Sequence, residues 1–372
     1  MDTLFELENL RAVIPSKKGN LVLVDNVSVK IQPSECFGLL GESGCGKSSL
    51  LTAALGLFQV THRFKDAKIE KEWVFPFQSE FESKETWNKT VTGRSLYRGI
   101  DLLSLSSTER ARFLGSHISY MPQGLASVLT PIFSIGNQTS ESLEVHVPDM
   151  RTERMKERVL EYLDLVNLAD AKDRYVLDPG KFSGGEAQRI KLAMALIAAP
   201  YLVMADEPTS ALDVTVQAQV LGLFQMIKRE FDAALMIVSH DIGVIAELAD
   251  RVGIMYAGRI LEIGTAKEMF HRPKHPYSQG LMASFPTITM MRMAAGEKRP
   301  KLRGISGSPP NPREIPDGCA FHPRCPYASD ICCTRKPMMR DLGNNHLVAC
   351  HLYSECSSEI DQTLEQSLEI RR

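Results

Sequence analysis

Hydrophobic and polar positions alternate over residues 21–31 (LVLVDNVSVKI), the spacing of a half-buried strand. Cys36 to Leu40 is a short apolar run of strand length, and Ser49 to Leu57, just beyond a Gly-rich turn, is helical in pattern. Val159, Tyr162, Leu163 and Val166 recur at helical spacing on a charged background, which predicts a helix over 153–171. A second helix is predicted over 183–199, with Ser183 as its N-cap. The apolar runs Tyr201 to Ala205 and Ala234 to Ser239 have strand length and end in polar residues. Strands alternating with helices predict an α/β fold around a largely parallel sheet, with ligands at the carboxyl ends of the strands. After about His271 the pattern stops, and residues 271–318 are rich in Pro, Gly and Ser. In the tail, 357–372, Ile360, Leu364 and Leu368 lie four apart, which reads as a short docking helix or a frayed end.

Residues 58–97 break the alternation. Eight aromatics from Phe58 to Tyr97 argue against a solvated linker, so this segment reads as an enlarged β-rich subdomain, either a partner surface or simply a larger sheet. The 372 residues suggest two domains or three. Lys+Arg (43) nearly balances Asp+Glu (45), so nucleic acid is not expected as a partner. The longest nearly unbroken apolar run, Leu192 to Ala205, contains Pro200 and is shorter than the ~18–20 residues of a membrane span. Met1 to Asn20 lacks the apolar core of a signal peptide, and a cytoplasmic location is expected.

The chemistry begins at Gly41-Glu42-Ser43-Gly44-Cys45-Gly46-Lys47-Ser48, a full match to G-x-x-x-x-G-K-[ST] between a strand and a helix. Glycines let backbone N–H groups turn inward around phosphate oxygens. Lys47 supplies a point charge to the outer phosphates, Ser48 offers a hydroxyl to Mg²⁺, and the helix N terminus, with Ser49, adds its positive end. Hydrolysis also needs an acidic strand end, and LVMADEP provides one. Asp206 is expected to hold Mg²⁺ through water, and Glu207 to polarise the attacking water as general base.

Between these motifs lies FSGGEAQR, Phe182 to Arg189, and here the chain resembles the ATP-binding subunit of an ABC transporter. The resemblance covers residues 1–270 and implies a P-loop ATPase core with an antiparallel β subdomain and a helical subdomain over 124–182. It assigns Ser183, Gly184 and Gly185 to the signature that contacts the γ-phosphate held by the opposite subunit. Gln123 in YMPQ resembles the Q-loop, a Mg²⁺ ligand facing the membrane subunits. Asp213 in SALD resembles the D-loop, and His240 in VSHD the switch histidine at the γ-phosphate.

The C-terminal part narrows the resemblance. HRPKHPYSQGLMAS, GSPPNP, GCAFHPRCPYASDIC and VACH resemble the oligopeptide, dipeptide and nickel branch of these ATPases. That likeness implies that 271–356 is a small Cys-rich extension in which Cys319, Cys325, Cys332 and Cys350 ligate a [4Fe-4S] cluster. Spacing alone identifies no metal, and four thiolates also suit Zn²⁺. Cys333 is an alternative to Cys332, and Cys356 looks spare.

The chain departs from the family pattern in three places. No aromatic lies between Glu6 and Cys36 to stack on adenine, which leaves Val13 or Ile14 for apolar packing. Phe182 and Glu186 stand where close relatives usually carry Leu and Met or Gln. The 58–97 segment is longer than usual. The resemblance implies an ATP- and Mg²⁺-dependent ATPase on the cytoplasmic face of a membrane. It implies pairing with a second ATPase as a heterodimer, two transmembrane permease subunits and an external solute-binding protein, with di- or oligopeptides or a metal chelate as cargo.

Overall fold

The structure is a computed structural model that describes residues 3–15, 19–58, 90–124, 128–210, 212–284 and 304–353. Two sheets organise it. Strands β1 (Phe5–Ile14), β2 (Leu21–Ile31), β4 (Thr90–Tyr97) and β5 (Ile100–Asp101) form an antiparallel sheet in the order β2-β1-β4-β5. The second sheet holds β3 (Cys36–Leu40), β6 (Ile118–Met121), β7 (Leu202–Asp206), β8 (Ala234–Ser239), β9 (Arg251–Tyr256), β10 (Arg259–Thr265), β11 (Arg340–Asp341) and β12 (Leu347–Val348). Its order is β11-β12-β10-β9-β3-β8-β7-β6, with parallel pairing from β9 through β3, β8 and β7 to β6.

The central strands read as unbroken apolar runs because both of their faces are covered. In β8, Leu235 and Ile237 face one core while Ala234, Met236 and Val238 face the other. In β7, Val203 and Ala205 oppose Leu202 and Met204 in the same way. One core lies under the antiparallel sheet and α1 (Lys47–Ala54), through Phe5, Leu7, Ile31, Leu50 and Leu51. The other lies under a helical layer of α3 (Ile135–His146), α4 (Thr152–Leu165), α6 (Gly184–Leu196), α7 (Val214–Glu230) and α8 (Ile242–Leu248). The short α2 (Ser107–Ala111) opens on a capping box at Ser106 and Glu109. Similarly short, α5 (Ala171–Arg174) closes the predicted 153–171 helix region as a separate turn after α4 ends at Leu165.

Beyond residue 271 the sequence pattern is silent, yet structure continues. After α9 (Ala266–His271) comes α10 (Pro276–Ala283), and α11 (Asp330–Thr334) lies within the Cys-rich stretch. The two-residue strands β11 and β12 extend the main sheet through β10. Two-residue strands carry no readable alternation, which is why the sequence did not announce them. Of the 58–97 segment, residues 90–97 are β4, paired antiparallel with β1; 59–89 lie outside the described residues, as do Cys356 and the 357–372 tail. Among the described residues no helix is long and apolar enough to cross a membrane.

Glu262 ties this C-terminal part to the sheet. It is fully buried in β10, and its carboxyl group accepts from the Lys274 N–H (2.7 Å) and the His275 N–H (2.9 Å) and contacts His346 Nε2 at 2.7 Å. Replacing it by Leu strands the buried His275 N–H and the partly buried Lys274 N–H, so Glu262→Leu is expected to lower unfolding stability by roughly 3 kcal/mol. A urea midpoint close to wild type would contradict this role.

Candidate functional site

The site forms where adjacent parallel strands end. Leu40 lies opposite Ser239, Asp206 opposite Val238, and Met121 opposite Ala205. The residues that follow β3, β6, β7 and β8 therefore emerge along one edge of the sheet. These are the Gly-rich loop, Gln123, Glu207 and His240.

The loop from Gly41 to Gly46 leads straight into α1. Gly46 is its N-cap with φ 106°, and a Cβ there would strike the Leu23 carbonyl oxygen, so both conformation and space demand glycine. The helix has no side-chain cap and no acidic residue in its first turn. Its leading N–H groups, with the positive end of the dipole, thus form an anion site. Lys47 is buried, and its Nζ donates to the Gly41 carbonyl (2.8 Å) and the Glu42 carbonyl (3.2 Å). Ser43 and Gly44 form the outer turn of the loop, and Ser48 and Ser49 open the helix. Cys45 Sγ is tucked beneath the loop, 3.8 Å from Lys47 Nζ, and burial raises its pKa.

At the end of β7, burial pushes the Asp206 carboxyl up to about 6, against a hydrogen bond from Ser48 that lowers it. Asp206 Oδ1 is buried and has no partner. A desolvated carboxylate with a free oxygen beside the Ser48 hydroxyl is a fitting donor set for Mg²⁺, which takes one or two carboxylates alongside phosphate oxygens. Glu207 follows with φ 49°, the left-handed region that costs a non-Gly residue energy and clusters at active sites. Its Oε1 lies 2.8 Å from His240 Nδ1, which pairs the expected base with the expected switch histidine.

Gln123 is exposed just past β6. Ser183 is the N-cap of α6 and exposed, with Gly184 and Gly185 opening the helix in the α-helical layer rather than beside α1. Asp213 caps α7, accepting from the Thr215 and Val216 N–H groups, both at 3.0 Å. The two departures in the signature meet on one residue, Arg174. Arg174 donates to Glu186 at 2.6 Å and lies 4.4 Å from the Phe182 ring centroid, while Glu186 closes a capping box with Ser183. The Arg174 hydrogen bond holds the Glu186 carboxyl down to about 2. Val13 is buried within β1, and Ile14 is only partly covered.

Sequence reasoning missed two residues one turn further along α6. Lys191 Nζ donates to the Pro122 carbonyl (2.9 Å) and the Gly124 carbonyl (2.7 Å), the two peptides that bracket Gln123. Gln188 donates to the Pro208 carbonyl, directly after Glu207. Burial lowers the Lys191 ammonium to about 8, opposed by Asp206. A lysine inside an apolar helical run is the one signal that could have flagged this position.

The expected iron–sulfur site is not supported as it stands. Among the described residues, no group of three or more His, Cys, Asp or Glu is arranged to hold a metal ion. Cys319, Cys325, Cys332 and Cys350 do line one common cavity of ≈ 100 Å³, together with His275 and Phe321. Burial raises the thiols of Cys319, of Cys325 to about 11 and of Cys350 to about 12. His275 is fully buried and lowered to about 4 by burial; its Nδ1 accepts from the Tyr277 N–H, and its Nε2 has no partner. Four thiols and an unpartnered ring nitrogen are the donor types a soft cation takes, but here they share a cavity without being arranged as ligands.

Fold and site define a nucleotide-binding cassette. The ABC transporter family matches residues 24–210, and the family described as oligopeptide/dipeptide transporter, C-terminal region, matches 261–332. The dipeptide transport ATP-binding protein DppD of Bacillus subtilis is 36% identical over 355 residues, covering 95% of this chain and 96% of that protein. The oligopeptide transport ATP-binding protein OppD of Escherichia coli is 35% identical over 337 residues, covering 91% and 90%. The solved dimeric cassette MJ0796, in a post-hydrolysis state bound to ADP and Pi, aligns with TM-score 0.57 at 21% identity over 70% of this chain and 98% of that one, a likeness of fold. The chain belongs to the ABC transporter family, in the branch that carries the oligopeptide/dipeptide C-terminal region. It is an ATP-binding, ATP-hydrolysing cassette.

The raised Asp206 carboxyl predicts a pH effect with a definite sign. Mg²⁺ needs the ionised form, so protons compete with the metal as pH falls through about 6, well above an ordinary carboxylate. Calorimetric titration of Mg²⁺ into the nucleotide complex is expected to show weaker binding at pH 5.5 than at 7.5, and Asp206→Asn is expected to flatten that dependence. Equal affinities in the native chain at the two pH values would contradict it.

Proposed function

We propose that this chain is the energising subunit of an ABC importer for di- or oligopeptides or a related small solute such as a metal chelate. The observation that carries the ATPase role is the convergence of the uncapped α1 terminus, the unpartnered Asp206 Oδ1 and the Glu207–His240 pair on one sheet edge. The cargo class is supported by the names of the relatives, which transport dipeptides and oligopeptides, and by the matching C-terminal region.

Backbone N–H groups of the loop and of α1 bind the phosphates. Lys47 leaves the Gly41 and Glu42 carbonyls to reach the outer phosphates. Ser48, Asp206 and Gln123 would hold Mg²⁺, which would supply charge neutralisation at the phosphate oxygens. Glu207 takes the proton of the attacking water, and His240 orients that carboxylate. Ser183, Gly184 and Gly185 act in trans on the nucleotide of an opposing cassette, and Asp213 lies at that same junction. The exposed positions of Ser183, Gly184 and Asp213 support this reading. The opposing subunit is a second, similar ATPase. Closure of the two moves the helical subdomain, residues 124–182, against two transmembrane permease subunits, to which an external solute-binding protein delivers the solute. The chain is peripheral, on the cytoplasmic face of the membrane, and nucleic acid is not a partner.

Cys319, Cys325, Cys332 and Cys350 hold a [4Fe-4S] cluster, or Zn²⁺ in its place. The shared cavity and the orphaned His275 nitrogen support this. Such a group would cross-link the turn at Cys319 and Cys325 to the segments that carry Cys332 and Cys350.

Glu207→Gln is expected to retain ATP binding and to lower steady-state hydrolysis by about 10²–10⁴-fold, the usual weight of general base catalysis. Hydrolysis near the wild-type rate in the assembled complex would remove Glu207 from that role. The wider reading is tested by anaerobic purification of the tagged native subunit from membranes. Two permease subunits, a second ATPase, brown colour and acid-labile sulfide are expected; ribosomal or DNA-repair partners without permeases would overturn the importer, and stoichiometric zinc without iron would overturn the cluster.

A further inference from the structure

Glu42 lies inside the phosphate loop, where its carboxylate adds negative charge beside the site meant for phosphate. It does not stand alone. Arg324 grips it with two parallel hydrogen bonds, Nη1 to Oε2 at 2.7 Å and Nη2 to Oε1 at 2.9 Å. The Arg324 side chain is only 5% exposed, and its guanidinium also reaches the Tyr256 hydroxyl (3.3 Å) and, through Nε, the Ser306 carbonyl (2.9 Å). The Glu42 N–H donates to the Tyr277 hydroxyl at 3.1 Å. The loop is thus held, through both the side chain and the backbone of Glu42, by residues from the C-terminal part of the chain.

Arg324 directly precedes Cys325 and follows the turn that begins at Cys319. Phe321, in that same turn, lines the four-cysteine cavity. Its ring packs on Tyr256 and Tyr277 with centroids 5.4 and 5.3 Å apart, and those two rings are 4.6 Å from each other. Aromatic packing and a bidentate ion pair therefore run unbroken from the wall of the cavity to the phosphate loop. Such a fork is geometrically demanding, and a lysine cannot reproduce it.

We infer that Arg324 is a positioning residue for the phosphate loop, neutralising and drawing aside Glu42, and that occupancy of the four-cysteine cavity sets nucleotide affinity through this clamp. The second half rests on the metal reading of the cysteines; the first half does not. With Arg324 lost, Glu42 becomes an unpaired carboxylate next to the phosphates and repels them. The direction is fixed by electrostatics, because weaker pairing means weaker ATP binding.

The test measures Kd for a fluorescent ATP analogue with Mg²⁺ on the full-length chain, purified anaerobically, with iron and zinc quantified in each sample. Arg324→Ala is expected to weaken binding by about tenfold, in the usual range for coupled sites. Adding Glu42→Gln to it is expected to restore most of the loss, since the repelling charge is gone. A chain that is merely misfolded would not be rescued by a second substitution. Where Arg324→Ala does not fold, Arg324→Lys serves, with a smaller loss and the same rescue. Stripping the metal with a chelator, then removing the chelator, is expected to weaken binding in the wild type but not in the Arg324→Ala/Glu42→Gln double variant.

A double variant that binds no better than Arg324→Ala overturns the clamp. Unchanged Kd after verified metal removal overturns its link to the cavity. Should the native chain carry neither iron nor zinc, the four-cysteine reading falls by itself. The clamp is then decided by the double variant alone.

Discussion

A helix start that carries neither a side-chain cap nor an acidic residue is the constraint on which this structure depends. The N–H groups at the head of α1 must stay unpaired to receive phosphate, and unpaired donors tend to find a partner within the protein. The fold keeps them free by bracing the loop from all sides. Gly258 donates to the Cys45 carbonyl from the β9–β10 hairpin, at 2.8 Å. The Leu23 carbonyl closes against Gly46, and Tyr277 and Arg324 hold Glu42. Lys47 donates to the Gly41 and Glu42 carbonyls of its own loop.

The same economy governs the charges along the sheet edge. Asp206 is desolvated by the strands around it, which leaves an oxygen free for a cation. Glu207 is fixed by a left-handed backbone and a histidine, so its position is decided by the turn rather than by a flexible side chain. Helix α6 serves two sites at once. Its N terminus presents Ser183 outward, stiffened by Glu186 and Arg174, while one turn later Gln188 and Lys191 reach the carbonyls after Glu207 and around Gln123. Helix α6 is thereby hydrogen-bonded both to the turn after Glu207 and to the peptides around Gln123.

Much of the fold was legible in the chain. Strands β2, β3 and β8 lie where alternation or apolar runs placed them, and Ser183 caps α6 as its residue type suggested. The phosphate loop, the acidic strand end and His240 were readable because each motif follows a strong apolar strand. The four cysteines were readable as a group, and the structure does gather them around one cavity, although not as a finished metal site. The C-terminal strands, the buried Glu262 hub, Lys191 and the Arg324–Glu42 pair were not legible. Each is a short or isolated feature with no period to recognise.

The sequence by itself determined the local chemistry: which turns need glycine, where helices start, and which side chains can bind phosphate, Mg²⁺ or a soft metal. Those properties depend on residues a few positions apart, and backbone sterics and side-chain type settle them there. Only the tertiary structure decided which of these groups work together. Glu207 meets His240, Lys191 brackets Gln123, and Arg324 reaches Glu42 across 282 residues of chain. Such meetings are set by the order of strands in the sheet and by the packing of its two faces, and no local pattern in the chain encodes them.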